Sequence, residues 1–157
     1  MPPHDPPERE WFEPGGLRFS CTMCGNCCSG PPGYVHVNDG EIRALATRLG
    51  MSELAFEEMF CTATSLGRSL REVEREHGFD CVFLDRERVP GRAVCGVYED
   101  RPEQCRAWPF WPSLLRSREA WERAGRTCPG IGKGEAHGAE RVRFVRATIE
   151  GRLDPSR

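Results

Sequence analysis

Eight of the nine cysteines in this chain are spaced in a way that favours metal binding. Ionised thiols are soft, negatively charged ligands, and four of them satisfy zinc or iron in many different folds. The first set is dense and the second set is dispersed along the chain. The two sets are Cys21, Cys24, Cys27 and Cys28, and Cys81, Cys95, Cys105 and Cys128. We therefore expect metal binding to be the main chemistry of this chain.

The dense set begins with a Cys21-x2-Cys24-Gly25 segment, which is typical of a metal knuckle. Two intervening residues let the chain fold back so that both sulfurs face one ion, and the glycine permits a positive φ where backbone amides turn toward sulfur. Adding Cys27 gives a Cys-x2-Cys-x2-Cys spacing that also holds [4Fe–4S] clusters, often with a distant Cys-Pro pair such as that at Cys128. The spacing leaves the choice between zinc and iron open.

Two cysteines of the dense set, Cys27 and Cys28, are adjacent. Neighbouring side chains in extended backbone point to opposite faces, so we expect these two not to share one ion comfortably. Eight cysteines could then make two four-thiolate sites, with Cys28 linking the two groups. Arg101 and Arg106 flank Cys105 and are candidates to donate N–H groups to sulfur.

Other interpretations of the cysteines are less consistent with the pattern. An odd cysteine total and an N-terminus without a basic and then an apolar segment disfavour disulfides. The dispersed cysteines could be small core residues, and we predict this role for Cys61. Thiol–disulfide exchange by Cys24 and Cys27 lacks the βαβ context expected of such an enzyme. Three histidines are predicted not to be ligands: His36, His77 and His137.

Composition limits the classes of function. The formal net charge of −2, with scattered arginines, gives no argument for nucleic acid or an anionic membrane. No apolar run approaches the ~20 residues that cross a bilayer. We expect a cytoplasmic, reducing compartment, where cysteine clusters are more often metal sites than disulfides. Leu, Ile, Val and Phe total only 30 residues, so metal binding is expected to supply part of the folding free energy.

The chain is predicted to be a small α+β domain, irregular and loop-rich, with helices around a short β-hairpin. Residues 1–18 are predicted to be a flexible leader, residues 19–134 a cysteine-cluster metal-binding domain, and residues 135–157 a C-terminal helix and tail. The hairpin pairs residues 81–84 with residues 93–98. Residues 127–134 are predicted to form a tight loop.

Polar residues mark the expected helix starts. Asn38 and Glu41 resemble a capping box, and residues 139–151 form the last predicted helix. A short strand is expected at residues 34–37. Residues 69–76 fit either a polar helix or an exposed strand, and the strand is favoured. The earlier helices are predicted to begin after residues with capping side chains: Asn38, Ser52, Asp100, and Ser113 or Ser117.

An ordered set of residues extends the cysteine pattern over most of the chain. It comprises Phe19-x-Cys21-x2-Cys24-Gly25-x-Cys27-Cys28, Cys81-Val-Phe-Leu84, Cys95, Tyr98-Glu99-x-Arg101-Pro102-x2-Cys105-Arg106, Pro109-Phe110 and Cys128-Pro129-Gly130-Ile131-Gly132. This set resembles the YkgJ-type cysteine-cluster family, whose signature is CxxCxxCC and whose domain is described as zinc- or iron-chelating. The resemblance implies metal chelation by these cysteines and no settled reaction, and Cys61 lies outside the pattern.

Two hypotheses of different classes follow. In the first, a cytoplasmic protein holds zinc or an iron–sulfur centre through the eight cysteines, and in the zinc form the metal is structural. In the second, the chain is an iron–sulfur redox protein or a metalloenzyme component. The pattern assigns no catalytic residue, substrate or protein partner, and the metal ion is the predicted partner.

Overall fold

The computed structural model describes residues 8–152, which form a small α+β domain, as predicted. Two short 3-10 helices span Asn26–Cys28 and Tyr98–Asp100. The α-helices are α1 (Asp39–Leu49), α2 (Glu53–Phe60), α3 (Glu103–Ala107), α4 (Pro112–Leu115), α5 (Arg118–Gly125) and α6 (Ala139–Glu150). None of the helices in this range combines the length and the apolar character that a bilayer span requires.

The strands are short and pair antiparallel in small sheets. The sheet orders are β1-β10, β2-β7-β6, β3-β5-β4 and β8-β9. The strand bounds are β1 (Leu17–Phe19), β2 (Ser29–Gly30), β3 (His36–Val37), β4 (Cys61–Thr64), β5 (Gly67–Leu70), β6 (Glu72–Arg75), β7 (Gly78–Cys81), β8 (Leu84–Asp85), β9 (Val94–Cys95) and β10 (Ile131–His137).

The apolar side chains form two separate clusters. We call the first the Trp121 cluster, which contains Phe12, Leu17, Phe110, Leu115, Trp121, Cys128, Ile131, Ala139 and Val142. We call the second the Leu45 cluster, which contains Val37, Ile42, Leu45, Ala46, Phe56, Cys61, Leu70 and Val97. Cys81 and Cys95 pack at the edge of the Leu45 cluster, whereas Cys128 lies inside the Trp121 cluster. The predicted metal ligands therefore border both clusters.

Three of the predicted helix starts are confirmed. Asn38 and Glu41 form a capping box, because each side chain accepts a hydrogen bond from the backbone N–H of the other. Ser52 accepts from the Ala55 N–H at the start of α2, and Ser117 does the same at the start of α5. These bonds satisfy amides that have no partner within their own helix.

Asp100 does not begin a helix, so that prediction is wrong. Its carboxylate instead pairs with the Arg48 guanidinium, and α3 begins after Pro102 without a side-chain cap. The predicted hairpin is partly right, because β8 pairs with β9 between the predicted strands. Cys81, however, belongs to β7 and pairs with Glu72 of β6.

The predicted loop at residues 127–134 is wrong in its second half, because β10 begins at Ile131 and pairs with β1. Glycine allows the two segments to approach closely. A Cβ atom on Gly130 would lie 2.0 Å from the Ser20 carbonyl oxygen. Helix α6 and the strand at residues 36–37 agree with the predictions. The segment predicted as one strand at residues 69–76 is extended but is divided between β5 and β6, which belong to different sheets.

The predicted leader lies partly within the described residues. Phe12 is buried in the Trp121 cluster, and the Trp11 indole N–H donates a 2.6 Å hydrogen bond to the Leu115 carbonyl. Residues 1–7 of the leader and residues 153–157 of the predicted tail lie outside the described part. The three-part division of the chain stays a prediction.

Candidate metal centre

The knuckle at Cys21 and Cys24 has backbone amides directed at its sulfurs. The Met23 N–H donates to Cys21 Sγ at 3.4 Å, and the Asn26 N–H donates to Cys24 Sγ at 3.5 Å. Gly25 has a φ of 77°, and a Cβ there would lie 2.6 Å from Ala93 Cβ. These amides stabilise negative charge on sulfur, so the predicted knuckle geometry is present.

Hydrogen bonds on both sides of the knuckle connect it to the segment around Cys128. The Ser20 N–H donates to the Gly130 carbonyl at 3.4 Å, and the Asn26 side-chain amide donates to the Thr127 carbonyl at 2.6 Å. Burial raises the pKa of the Cys128 thiol, and negative charge on Cys24 adds to this increase. We therefore refer to Cys21, Cys24 and Cys128 as the three-cysteine group.

Cys27 and Cys28 lie in the 3-10 turn that follows the knuckle. Their sulfurs are 3.6 Å apart. The expectation that adjacent cysteines point to opposite faces is therefore wrong, because it assumed extended backbone and this segment is helical. The short separation brings two thiols to one side of the chain.

Three further cysteines influence the charge state of this pair. Negative charge on Cys105 and Cys81 raises the pKa of Cys28, and charge on Cys95 raises that of Cys81 and Cys105. Such Coulombic effects reach across about 10 Å, so the five thiols share one region of the molecule. We call Cys27, Cys28, Cys81, Cys95 and Cys105 the five-cysteine group.

The elements bring the five-cysteine group together from distant parts of the sequence. Cys81 ends β7, Cys95 ends β9 and Cys105 lies in α3. The knuckle also binds the segment that leads to β9, because the Ala93 N–H donates to the Met23 carbonyl at 2.8 Å.

Burial and hydrogen bonding set the proton affinities in the five-cysteine group. The hydrogen bond from Cys28 lowers the pKa of Cys27 to about 7, and the positive charge of Arg101 contributes in the same direction. The same Cys27 contact raises the pKa of Cys28. Burial raises the pKa of Cys81 to about 11 and also raises that of Cys105. Cys27 is therefore the thiol of this group that ionises most easily. The other thiols lose their protons when a cation binds to them.

Arg101 and Arg106 differ in their relation to the sulfurs. The hydrogen bonds of both side chains in the described residues go to oxygen and not to sulfur, contrary to the prediction. Positive charge on Arg101 nevertheless favours ionisation of Cys27, Cys95 and Cys105. Its Nε donates to the Tyr98 carbonyl. Arg106 instead binds the Glu103 carboxylate at 2.8 Å.

A sequence model described as "CxxCxxCC: Putative zinc- or iron-chelating domain" matches residues 20–129. This chain belongs to the CxxCxxCC family. The matched span contains all eight predicted cysteines, and the family description supports metal binding by this chain in general terms. No solved structure matches it.

The side chains of this CxxCxxCC domain are not arranged as a closed metal site. Within residues 8–152, no group of three or more histidine, cysteine, aspartate or glutamate side chains has the arrangement of a metal-binding set. Charges on the thiols influence one another within each cysteine group, but the sulfurs of the described residues do not surround one point. The assignment of the eight cysteines as ligands stays a prediction.

Cys61 and His36 lie outside the two cysteine groups, and both are buried. Cys61 is buried in the Leu45 cluster, as predicted. His36 is buried, and its Nδ1 has no hydrogen-bond partner within the described residues. The sequence reasoning missed Asp80 and Arg86, although Asp80 immediately precedes Cys81.

Proposed function

We propose that this CxxCxxCC protein binds a mononuclear metal ion through cysteine thiolates of the five-cysteine group, and that zinc is the best-fitting metal. The ion would be structural, joining the 3-10 turn at Cys27 and Cys28 to β7, β9 and α3. Its ligands would be drawn from Cys27, Cys28, Cys81, Cys95 and Cys105.

The 3.6 Å separation of the Cys27 and Cys28 sulfurs carries this proposal. Two sulfurs at ~2.3 Å from a tetrahedral zinc ion lie about 3.8 Å apart. In a [4Fe–4S] cluster the four cysteines bind four different irons, so its ligands are spread around a much larger centre. The adjacent pair therefore suits two ligands of one ion.

The surroundings are consistent with bound metal. A rotamer change about χ1 moves a cysteine sulfur by about 3 Å, so side-chain rotation alone changes which sulfurs face one point. Arg101 supplies positive charge next to the thiolates of Cys27, Cys95 and Cys105. Positive charge is needed because zinc with four thiolates carries a formal charge of about −2.

The test is elemental analysis combined with absorption spectroscopy on protein purified without oxygen. The proposal expects zinc bound in a fixed ratio to protein and no visible absorption. Replacing zinc by cobalt should give the intense sulfur-to-metal charge-transfer bands of a thiolate site. Protein that is folded and free of metal would contradict the proposal.

A second candidate, an iron–sulfur redox protein, is favoured by one observation in the three-cysteine group. The Cys-x2-Cys-x2-Cys segment is tied to the Cys128-Pro129 pair through the bond from Asn26 to Thr127, and this combination is used by iron–sulfur proteins. Brown protein whose absorption is bleached by dithionite would favour this candidate. Colourless protein with zinc would exclude it for the purified form.

Both candidates require reduced thiols. We therefore propose a reducing compartment such as the cytoplasm, where glutathione and thioredoxin keep cysteines from forming disulfides. That neither nucleic acid nor a membrane is a partner, as the low net charge suggested, stays a prediction.

A further inference from the structure

Strand β7 ends at Cys81, and Cys28 is the residue that immediately precedes β2. Ser29 pairs with Asp80 and Gly30 pairs with Phe79 in antiparallel register. Directly opposed residues in an antiparallel pair have Cβ atoms about 5 Å apart. The ladder therefore fixes the spacing of Ser29 and Asp80, and their chain neighbours Cys28 and Cys81 lie at the same end of the strand pair.

The side chains of the paired residues Ser29 and Asp80 belong to a polar network. The Asp80 side chain is only 3 % exposed. Arg86 holds it with two hydrogen bonds, from Nε to Oδ2 and from Nη2 to Oδ1, each 2.9 Å long. The same Nη2 donates to Ser29 Oγ at 3.2 Å, and His77 Nε2 lies 2.7 Å from Asp80 Oδ1. One guanidinium thus joins both strands.

The network is built to fix geometry. A bidentate pair between arginine and a carboxylate sets both distance and angle. Because Asp80 is next to Cys81 and Ser29 is next to Cys28, fixing Asp80 and Ser29 also fixes where the two cysteine backbones lie. The ladder at this point is only two residues long in β2, so backbone bonds alone constrain it weakly.

We propose that Asp80 and Arg86 are positioning residues that hold Cys28 beside Cys81 and so prepare these two thiols to bind one ion. The positioning itself is a property of the metal-free chain. Its use in metal binding rests on the proposed function.

Two substitutions test the proposal. Asp80→Asn removes the charge that pairs with Arg86, and Ser29→Ala removes only the contact with the second strand. Changing a group that orients metal ligands typically lowers metal affinity ten- to a hundredfold. We expect a loss in this range for Asp80→Asn and a smaller loss for Ser29→Ala, measured by chelator competition together with the cobalt charge-transfer spectrum.

The matched control is Glu57→Gln. Glu57 also pairs with an arginine, Arg68, at 2.6 Å, but this pair lies beside Cys61 and away from the two cysteine groups. We expect its metal affinity and cobalt spectrum to equal those of the unmodified protein. Circular dichroism establishes that each variant is folded, and Ser29→Ala keeps the test informative if Asp80→Asn does not fold.

A measurement without metal separates this proposal from the proposed function. Dibromobimane joins two thiols that lie close together, and peptide mapping identifies the joined pair. We expect the reduced, metal-free protein to give a Cys28–Cys81 product that falls severalfold in Asp80→Asn. An unchanged yield would overturn the positioning role, and a reduced yield with unchanged metal affinity would overturn the use of that positioning in metal binding. A chain that gives the product but binds no metal would contradict the proposed function and leave the positioning intact.

Discussion

Cys27 and Cys28 are the residues on which the proposed metal site depends most. Their sulfurs are 3.6 Å apart, and their hydrogen bond lowers the pKa of Cys27 to about 7. A thiol that ionises near neutral pH offers a cation its first ligand, and the adjacent thiol offers a second without any long-range rearrangement. The remaining ligands must come from other elements.

Alanine substitutions distinguish a ligand from a core cysteine. We expect Cys27→Ala to abolish stoichiometric metal binding, because it removes one sulfur of the adjacent pair. Cys61→Ala is the matched control. It should keep the metal and lower the free energy of unfolding by on the order of 1 kcal/mol, because it removes only a small buried side chain.

The measurements are metal content by elemental analysis and stability by urea denaturation. Equal metal content in the two variants would remove Cys27 from the ligand set. Loss of metal in Cys61→Ala alone would place the site in the Leu45 cluster, where we do not expect it.

At the residue scale, the sequence predicted the cysteine pattern and the knuckle. It did not predict that the sulfurs of Cys27 and Cys28 lie on the same side of the chain. The knuckle is predictable because its spacing and its glycine are local features. The relative direction of two adjacent side chains depends on whether the backbone is extended or helical, and neither residue type decides this. Asp80 and Arg86 were missed because their pairing depends on the fold of the segment between them.

At the scale of the elements, β3 contains a buried titratable group. His36 is buried, stacks on the Tyr34 ring at a centroid distance of 5.7 Å, and leaves its Nδ1 without a partner within the described residues. Burial lowers the pKa of His36 below its usual 6.5, and the nearby positive charge of Arg152 lowers it further. The folded protein therefore favours the neutral imidazole.

This pKa shift makes stability depend on pH in a defined direction. The unfolded chain binds a proton at His36 as the pH falls below about 6.5, whereas the folded chain resists it. The stabilisation is therefore complete above that pH and is lost progressively below it. Glu41 has a lowered pKa and contributes to acid unfolding only at lower pH.

We expect the urea midpoint to fall between pH 7.5 and pH 5.5, and we expect His36→Phe to lose part of this dependence. Both proteins are measured at the same ionic strength and metal content. An identical change in midpoint for the two proteins would contradict a buried neutral histidine.

Helix starts with capping side chains were predictable, whereas the strands were harder to assign. Asn38, Ser52 and Ser117 satisfy amides within three residues, so their effect is visible in the local sequence. Strand β10 pairs with residues more than one hundred positions away, and its glycine-rich sequence is more typical of a loop. Asp100 failed as a predicted cap because Arg48, from a distant helix, binds its carboxylate.

At the scale of the whole molecule, the proposed ligands lie on elements that border both apolar clusters. Cys81 and Cys95 pack against the Leu45 cluster, and Cys105 lies on α3, which contacts α6 of the Trp121 cluster. Neither cluster is large, and a bound ion would connect elements that border both. The expectation that a bound metal supplies part of the folding free energy of a chain with a small apolar core depends on this arrangement.

Removing metal should therefore lower stability and weaken the coupling between the clusters. Binding at a thousand times Kd stabilises a folded chain by about 4 kcal/mol, which corresponds to about 8–16 °C in Tm for a chain of this size. We expect a fall in this range after chelation under reducing conditions.

Two spectroscopic probes test the coupling. Tryptophan fluorescence reports mainly on the Trp121 cluster, where Trp11, Trp108 and Trp121 lie, and circular dichroism also reports on α1 and α2 of the Leu45 cluster. We expect the two unfolding midpoints to coincide with metal and to separate without it. Unchanged Tm and coincident midpoints after complete metal removal would show that the ion does not connect the clusters.

X-ray absorption at the edge of the bound metal, on protein purified without oxygen, tests the central claim most directly. A mononuclear zinc–thiolate site predicts a single shell of sulfur ligands at about 2.3 Å and no metal–metal scattering. A shell of nitrogen or oxygen, or the metal–metal scattering of an iron–sulfur cluster, would contradict it.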